Sequence, residues 1–488
     1  MRPPYFYSLF FLYFLTRLLN LTSLPIFNDE SIHLHWGQIM VSVPGQAFYS
    51  LFDSKPPLIL WLWGYAEKLI SDPLIAGRLV TILFGALTLV GLIKTARLLK
   101  FSQRGILLAG LLYILNPLTL FFDRLVLFDS PVSAVFVWVL YLSIKISIIP
   151  NSQLPINIFL LGLAQGFGLW VKGNSQFFLF LPFVIPLLTA VFKKDREKAM
   201  GELKYFFISL LLAQILFLPI YLNPQYNTFS GKVTGFLLPA NEIFSPLRWI
   251  SYSQLWLWTV IVFLSPLVLL SCFLGFWRFF KADKIAALVI AAFTLLPIAA
   301  EIMTIQQMLS RYYLFTLIGF FLFSAYGLAT IKKFPNINVF AVLITPTIMS
   351  FFLLLNPLYT LNSLNIITPL RADLSQYISG WTSGYGVKEA TDWLGEQAKD
   401  KPVVVITRAD SGNPEDAVFV YLGKNKNILL LQANRKPSPQ ELLRFRQYPI
   451  YFVSRGKQYL DMEKELTEMK IFPKPQGEEF VGIYQLHP

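Results

Sequence analysis

Runs of about twenty apolar residues recur from the start of this chain to about residue 357. No other feature restricts its fold so severely. The hydrocarbon core of a bilayer is about 30 Å thick, and an α-helix rising about 1.5 Å per residue needs that many residues to cross it. No water is available there to satisfy backbone N–H and C=O groups, so each crossing must be a helix. The windows are 5–24, 76–96, 105–122, 130–149, 156–171, 175–192, 204–222, 255–279, 285–303, 312–331 and 337–357. Residues 57–70 are apolar but short, which predicts an interfacial or re-entrant helix. The sequence therefore predicts a polytopic α-helical membrane protein with about eleven transmembrane helices. Only 14% of the chain is charged, against about a quarter in a soluble globular protein. The first run passes into Asp29-Glu30 without a cleavage motif and reads as an uncleaved signal anchor.

The formal charge of +13 is unevenly distributed. Residues 1–357 carry 25 Lys and Arg against 13 Asp and Glu, whereas the last 131 residues carry 16 against 15. The excess bases sit in short loops, among them Lys94, Arg97, Lys100, Arg104, Lys193, Lys194, Arg196 and Lys198. The opposite side receives Asp29, Glu30, Asp53, Glu67, Asp72, Asp123, Asp129, Glu242 and Glu301. That asymmetry predicts a cytoplasmic N-terminus in the cell (cytoplasmic, or inner) membrane. It argues against a nucleic-acid partner, because the bases follow topology instead of forming one patch. An odd number of crossings then places the C-terminal region outside. Cys272 is the only cysteine, so no disulfide within the chain is possible.

Two domains are expected: a transmembrane domain over 1–357 and a small extracytoplasmic α/β domain over 358–488. The first contains a first outer loop, 25–75, and a long outer loop, 223–254, punctuated by Pro224, Gly231, Gly235, Pro239 and Pro246. Long ordered loops are commonly functional, which makes 223–254 a candidate lid or acceptor-contacting loop. In the C-terminal region Val387 to Lys399 has helical spacing, and 403–406, 428–431, 450–453 and 480–484 read as strands. Gln440 to Arg446 and Tyr459 to Met469 read as helices. Such alternation predicts helices packed on a sheet.

Polar chemistry concentrates where the apolar runs end. Asp29 and Glu30 follow the first run, and if Asp29 caps the next helix, Glu30 and His33 share a face. One carboxylate of the pair can accept a proton, while its neighbour and His33 orient a substrate or hold a metal. Two exposed acids capping a helix are the plainer interpretation. Lys55 precedes the rigid Pro56-Pro57; Lys172 ends one apolar helix; Arg311 opens another. Each fits a snorkelling interfacial cation, and the three together fit a phosphate or diphosphate clamp. Asp123 and Asp129 flank spans on the same side, Asp129 either capping its helix or binding substrate. His35 faces away from His33 and His487 is terminal; neither is assigned chemistry. No phosphate-binding glycine loop, zinc spacing or dinucleotide fingerprint occurs, which favours lipid-carried substrates over free nucleotides.

Taken in order, several stretches resemble the GT-C superfamily of membrane glycosyltransferases, most closely its protein O-mannosyltransferase and lipid A aminoarabinose transferase branch. They are Asp29-Glu30, Ser54-Lys55-Pro56-Pro57-Leu58, Arg78-Leu79, Phe121-Phe122-Asp123-Arg124, Asp129-Ser130-Pro131, Leu169-Trp170-Val171-Lys172-Gly173 and Arg311-Tyr312-Tyr313. The resemblance covers about the first 330 residues. It implies a sugar linked to a polyprenyl phosphate, an inverting displacement at the outer membrane surface, and a lipid, glycan or protein acceptor. By that resemblance Asp29 is the base that deprotonates the acceptor hydroxyl and Glu30 its partner at the acceptor or a metal. Lys55, Lys172 and Arg311 would hold the donor phosphate, and His33, Asp123 and Asp129 would bind acceptor or substrate. His33 stands where many bacterial relatives carry tyrosine. The resemblance fixes no cofactor, since metal use differs within the superfamily; a divalent metal is possible, with Glu30 and His33 as its ligands. The competing interpretation is a lipid-linked-sugar flippase without covalent chemistry, which calls for paired repeats and helices broken near midplane. Neither is visible in the sequence.

Overall fold

The computed structural model describes residues 3–148, 151–235, 237–239, 242–333, 335–364 and 375–487. Its chain separates into two compact units. One comprises Met1–Leu19, Phe48–Ile59 and Leu79–Leu355; the other comprises Asn20–Ala47, Leu60–Arg78 and Asn356–Pro488. The second unit thus takes in two segments of the expected first outer loop as well as the C-terminal region.

Among the described residues, eight helices are long and apolar enough to cross a membrane: Pro73–Leu98, Asp129–Ile148, Leu154–Val171, Gly173–Lys193, Arg196–Tyr221, Lys284–Thr304, Ser310–Ala329 and Pro335–Leu355. A ninth crossing results if Pro246–Leu264 and Pro266–Ala282, bent by 101° at Ser265, are one broken span. This is a multi-pass membrane protein, but the count of eleven is not reproduced. The first helix is Pro3–Leu18, only 16 residues. The expected span 105–122 divides at Asn116-Pro117 into Gln103–Leu115 and Pro117–Phe122. Proline supplies no N–H and excludes helical geometry from the preceding residue, so both breaks fall just before a proline. The Asn116 side chain caps the new start, accepting from Leu118 and Thr119 N–H.

Within the membrane unit, helix 266–282 packs closely on Leu317–Ala329. A Cβ built on Gly275 would lie 1.7 Å from the Phe323 carbonyl oxygen, and one on Gly327 2.4 Å from that of Ser271. Small residues let the backbones approach, and the Ser271 and Ser324 hydroxyls bond across the crossing. The segment 223–254 is not one long loop. It contains the helix Tyr226–Gly235 and the start of helix Pro246–Leu264. Phe229 from the former packs with Leu51, Leu169 and Phe217.

The C-terminal part of the second unit holds a five-stranded sheet in the order β2-β1-β3-β5-β4, where β1 is Val403–Arg408, β2 Ile428–Ala433, β3 Ile450–Arg455, β4 Leu466–Pro473 and β5 Phe480–Leu486. β2, β1 and β3 run parallel; β5 and β4 are antiparallel to their neighbours. β1 and β3 are near-continuous apolar runs because helices cover parallel strands on both faces. Glu415–Leu422, not anticipated, supplies one such helix. The expected helix 459–469 is instead a turn leading into β4. Its Glu and Lys content favours a helix, yet an exposed edge strand also tolerates charge, and pairing with β5 decides the conformation.

Candidate active site

Asp29 and Glu30 open the helix Asn28–Ser42, whose N-cap is Phe27, two residues earlier than expected. The two acids have different surroundings. Glu30 is fully buried, and its carboxylate accepts from Arg78 Nε at 2.9 Å and Nη2 at 2.7 Å. It also accepts from the Phe27 N–H at 2.9 Å. Arg78 in turn donates to the carbonyls of Leu21 and Leu24 at 2.6 and 2.9 Å. The expected meeting of Glu30 with acceptor or metal gives way to a bidentate ion pair that ties the 21–30 turn to helix 73–98. Asp29 alone of the pair remains partly exposed.

His33 is buried, its ring stacked on Trp63 with centroids 5.2 Å apart. A metal between Glu30 and His33 does not fit this arrangement, since it would have to displace Arg78 from both Glu30 oxygens. Among the described residues, no group of three His, Cys, Asp or Glu side chains is placed to hold an ion. His35, assigned no chemistry above, has its Nδ1 2.5 Å from Asp416 Oδ1 and stacks on Phe419.

In the membrane unit the predicted cations have carboxylate or aromatic neighbours. Lys55 Nζ lies 2.5 Å from Asp53 Oδ2, and Lys232 Nζ lies 3.0 Å from Asp53 Oδ1. Lys172 Nζ lies 2.8 Å from Asp129 Oδ1 and sits over the Tyr312 ring. Asp129 thus spends its carboxylate on Lys172, although it does begin its helix. The Arg311 guanidinium is also near the Tyr312 ring, at 5.7 Å from its centroid. The structure therefore brings Asp129, Lys172 and Tyr312 into one cluster, and Asp53, Lys55 and Lys232 into another.

Two further groups were not recognised as site residues. Lys232 joins the second cluster from helix 226–235, and its sequence surroundings carry no sign of this. Glu301 is buried in helix 284–304, with the Asn174 side chain bonded to it and Lys172 and Asp129 within electrostatic reach. An acid inside an apolar run was a usable signal for it.

Asp123 has a set of partners of its own. It is fully buried and accepts from Arg17 Nη2 at 3.2 Å, Ser130 Oγ at 2.7 Å and Tyr113 OH at 3.0 Å. Arg17 also donates to the Ile114 carbonyl and lies over the Tyr13 ring. Asp123 serves the fold here, joining helices 3–18, 103–115 and 129–148, and none of its partners leaves it facing a substrate.

This set of apolar helices with an appended sheet is a fold the chain shares with solved structures. Residues 54–222 match the profile of the family described as dolichyl-phosphate-mannose-protein mannosyltransferase. No curated protein matches the chain at the level of sequence. Among solved structures it is similar to ArnT from Cupriavidus metallidurans bound to undecaprenyl phosphate, with TM-score 0.62 and 14% identity over 98% of this chain and 97% of that one. It is also similar to the Archaeoglobus fulgidus oligosaccharyltransferase AglB in complex with an inhibitory peptide and a dolichol-phosphate, with TM-score 0.51 and 11% identity over 92% and 69%. Arabinofuranosyltransferase AftD from Mycobacteria gives TM-score 0.50 and 13% identity over 99% of this chain and 40% of that one.

Proposed function

We propose that the chain is an integral-membrane glycosyltransferase. It moves a sugar from a polyprenyl-phosphate donor to an acceptor hydroxyl on the outer side of the cytoplasmic membrane, with inversion at the sugar carbon. The observation that carries this reading is the fold shared over nearly the whole chain with the ArnT structure bound to undecaprenyl phosphate. The match of residues 54–222 to the dolichyl-phosphate-mannose-protein mannosyltransferase profile adds to it.

Asp29 is the base in this reading, because it is the partly exposed member of a pair whose other carboxylate belongs to Arg78. It takes the proton of the acceptor hydroxyl as that oxygen bonds to the anomeric carbon. The bond from that carbon to the phosphate oxygen breaks, and the phosphate leaves with the electron pair. Positioned cations stabilise the developing charge. Lys55, Lys172 and Arg311 take that role; Asp53 and Asp129 hold the two lysines in place beforehand. A flippase has no use for a base at residue 29, and no observation favours it.

The test is restoration of a deletion strain with the wild-type gene or with Asp29→Asn, read by mass spectrometry of envelope glycans and lipids. Wild type restores a sugar residue that the deletion lacks, whereas Asp29→Asn inserts normally and does not. An Asp29→Asn chain that restores it fully removes Asp29 from catalysis.

A further inference from the structure

The turn that carries Asp29 is held by a loop nearly four hundred residues away in sequence, Asp410 to Asp416, within the same compact unit. The Asn413 backbone N–H donates to Asn28 Oδ1 at 2.9 Å. The Asn413 side-chain amide donates to the Ile26 carbonyl at 2.9 Å and the Thr382 carbonyl at 3.2 Å. Thr382 also accepts from the Asn28 backbone N–H at 3.0 Å. The loop is itself braced from β3. Arg455 donates to the carbonyls of Asn413 and Ser411, both at 2.9 Å, and pairs with buried Glu415 at 2.7 Å. Asp416 caps the loop by accepting from the Gly412 N–H at 2.6 Å, and its other oxygen meets His35.

This arrangement determines which way the Asn28 amide points. Its oxygen must face the Asn413 N–H, so its nitrogen faces the other way, where Nδ2 donates to Asp29 Oδ1 at 3.4 Å. The loop approaches this amide too closely for a side chain at position 412. Gly412 has φ +104°, and a Cβ on it would lie 1.9 Å from Asn28 Oδ1. Neither Asn28 nor this loop is needed merely to begin the helix, because Glu30 already satisfies the Phe27 N–H.

We propose that Asn28 is a positioning residue for the Asp29 carboxylate and that the 410–416 loop is the device that orients it. The C-terminal region therefore acts on the reaction centre through one side-chain amide. This rests on the reading of Asp29 as the base. A donor aimed at a carboxylate favours its ionised form.

The experiment uses the purified full chain in detergent and a hydrophobic carbodiimide, which labels protonated carboxyl groups. Modification of the Asp29 peptide is followed by mass spectrometry from pH 4 to 9. Asn28→Ser, which adds no charge beside Asp29, is measured together with Asn28→Asp, which keeps the acceptor for Asn413 and removes this donor to Asp29. Both are expected to displace the labelling profile to higher pH and to raise labelling at pH 7 by at least about threefold. Gly412→Ala, which pushes Asn28 aside, is expected to move the profile in the same direction. A turn that is only loosened labels faster at every pH without any displacement of the profile, and that result overturns the proposal, as does a profile coincident with wild type. If Asn28→Asp does not fold, Asn28→Ser alone decides, since its hydroxyl is too short to reach Asp29. Labelling reports the ionisation of Asp29 whether or not it is the base, so failure here leaves the loss of transfer in Asp29→Asn unaffected, and the converse also holds.

Discussion

Glu30 can be buried because Arg78 accompanies it, with the Phe27 N–H donating to Glu30 and the carbonyls of Leu21, Leu24 and Pro25 accepting from Arg78. Breaking such a pair by removing one partner costs about 3–5 kcal/mol, since the other is left buried and uncompensated. Glu67 in helix Leu58–Leu69 lacks a partner of that quality. Burial raises its carboxyl to about 8, only partly opposed by the Gln38 amide and the nearby Lys424 ammonium. In the folded chain it therefore keeps its proton at pH values where the unfolded chain has lost it. That contribution to stability is complete below about pH 4.5 and is lost as pH rises towards 8. Thermal melts in detergent at pH 5 and pH 8 are expected to show wild type losing stability with rising pH and Glu67→Gln losing less. Equal slopes in the two proteins would show that Glu67 does not titrate this way. Adjacent acids and lone acids look alike in sequence. The separation of Asp29 from Glu30 depends on Arg78, 48 residues further on.

Helices were the most legible elements, because a run of apolar residues is costly anywhere except in lipid or a protein interior. Their ends and breaks were less so, since hydropathy changes little across Asn116-Pro117 or Ser265-Pro266. The crossing of helices 266–282 and 317–329 depends on contact between backbones at Gly275 and Gly327. Gly275→Val is expected to separate them and to lower the detergent melting temperature by several degrees, in line with a penalty of about 1–3 kcal/mol for overpacking. The same change at Gly201, whose Cβ would meet only the far edge of Tyr205, is the control. In the sheet, the central strands β1 and β3 were recognised from their apolar runs. The edge strand β4 was not, because its exposed Glu468 and Lys470 carry a helical bias that only pairing with β5 overrides.

Arg196–Tyr221, at 26 residues, is about 39 Å long. Lys193, Lys194, Arg196 and Lys198 gather near its start, and its end opens into Asn223-Pro224-Gln225. The positive-inside rule therefore predicts opposite accessibility at its two ends. Cys272 is buried, which allows single cysteines to be introduced with it replaced. Gln225→Cys is expected to react with an impermeant maleimide added to intact spheroplasts, and Lys194→Cys only after lysis. The reverse pattern would invert the assigned orientation.

Membrane residence, the position of most apolar helices and the α/β character of the last 131 residues could be read directly from the order of residues. They follow from solvent preference and spacing, which are local and additive. The partners of the polar groups could not be read that way. Arg17 with Asp123, Lys172 with Asp129, Arg78 with Glu30 and Asn413 with Asn28 meet only once the chain has folded. A buried charge or amide is satisfied by geometry, and geometry between distant segments is a property of the packed chain.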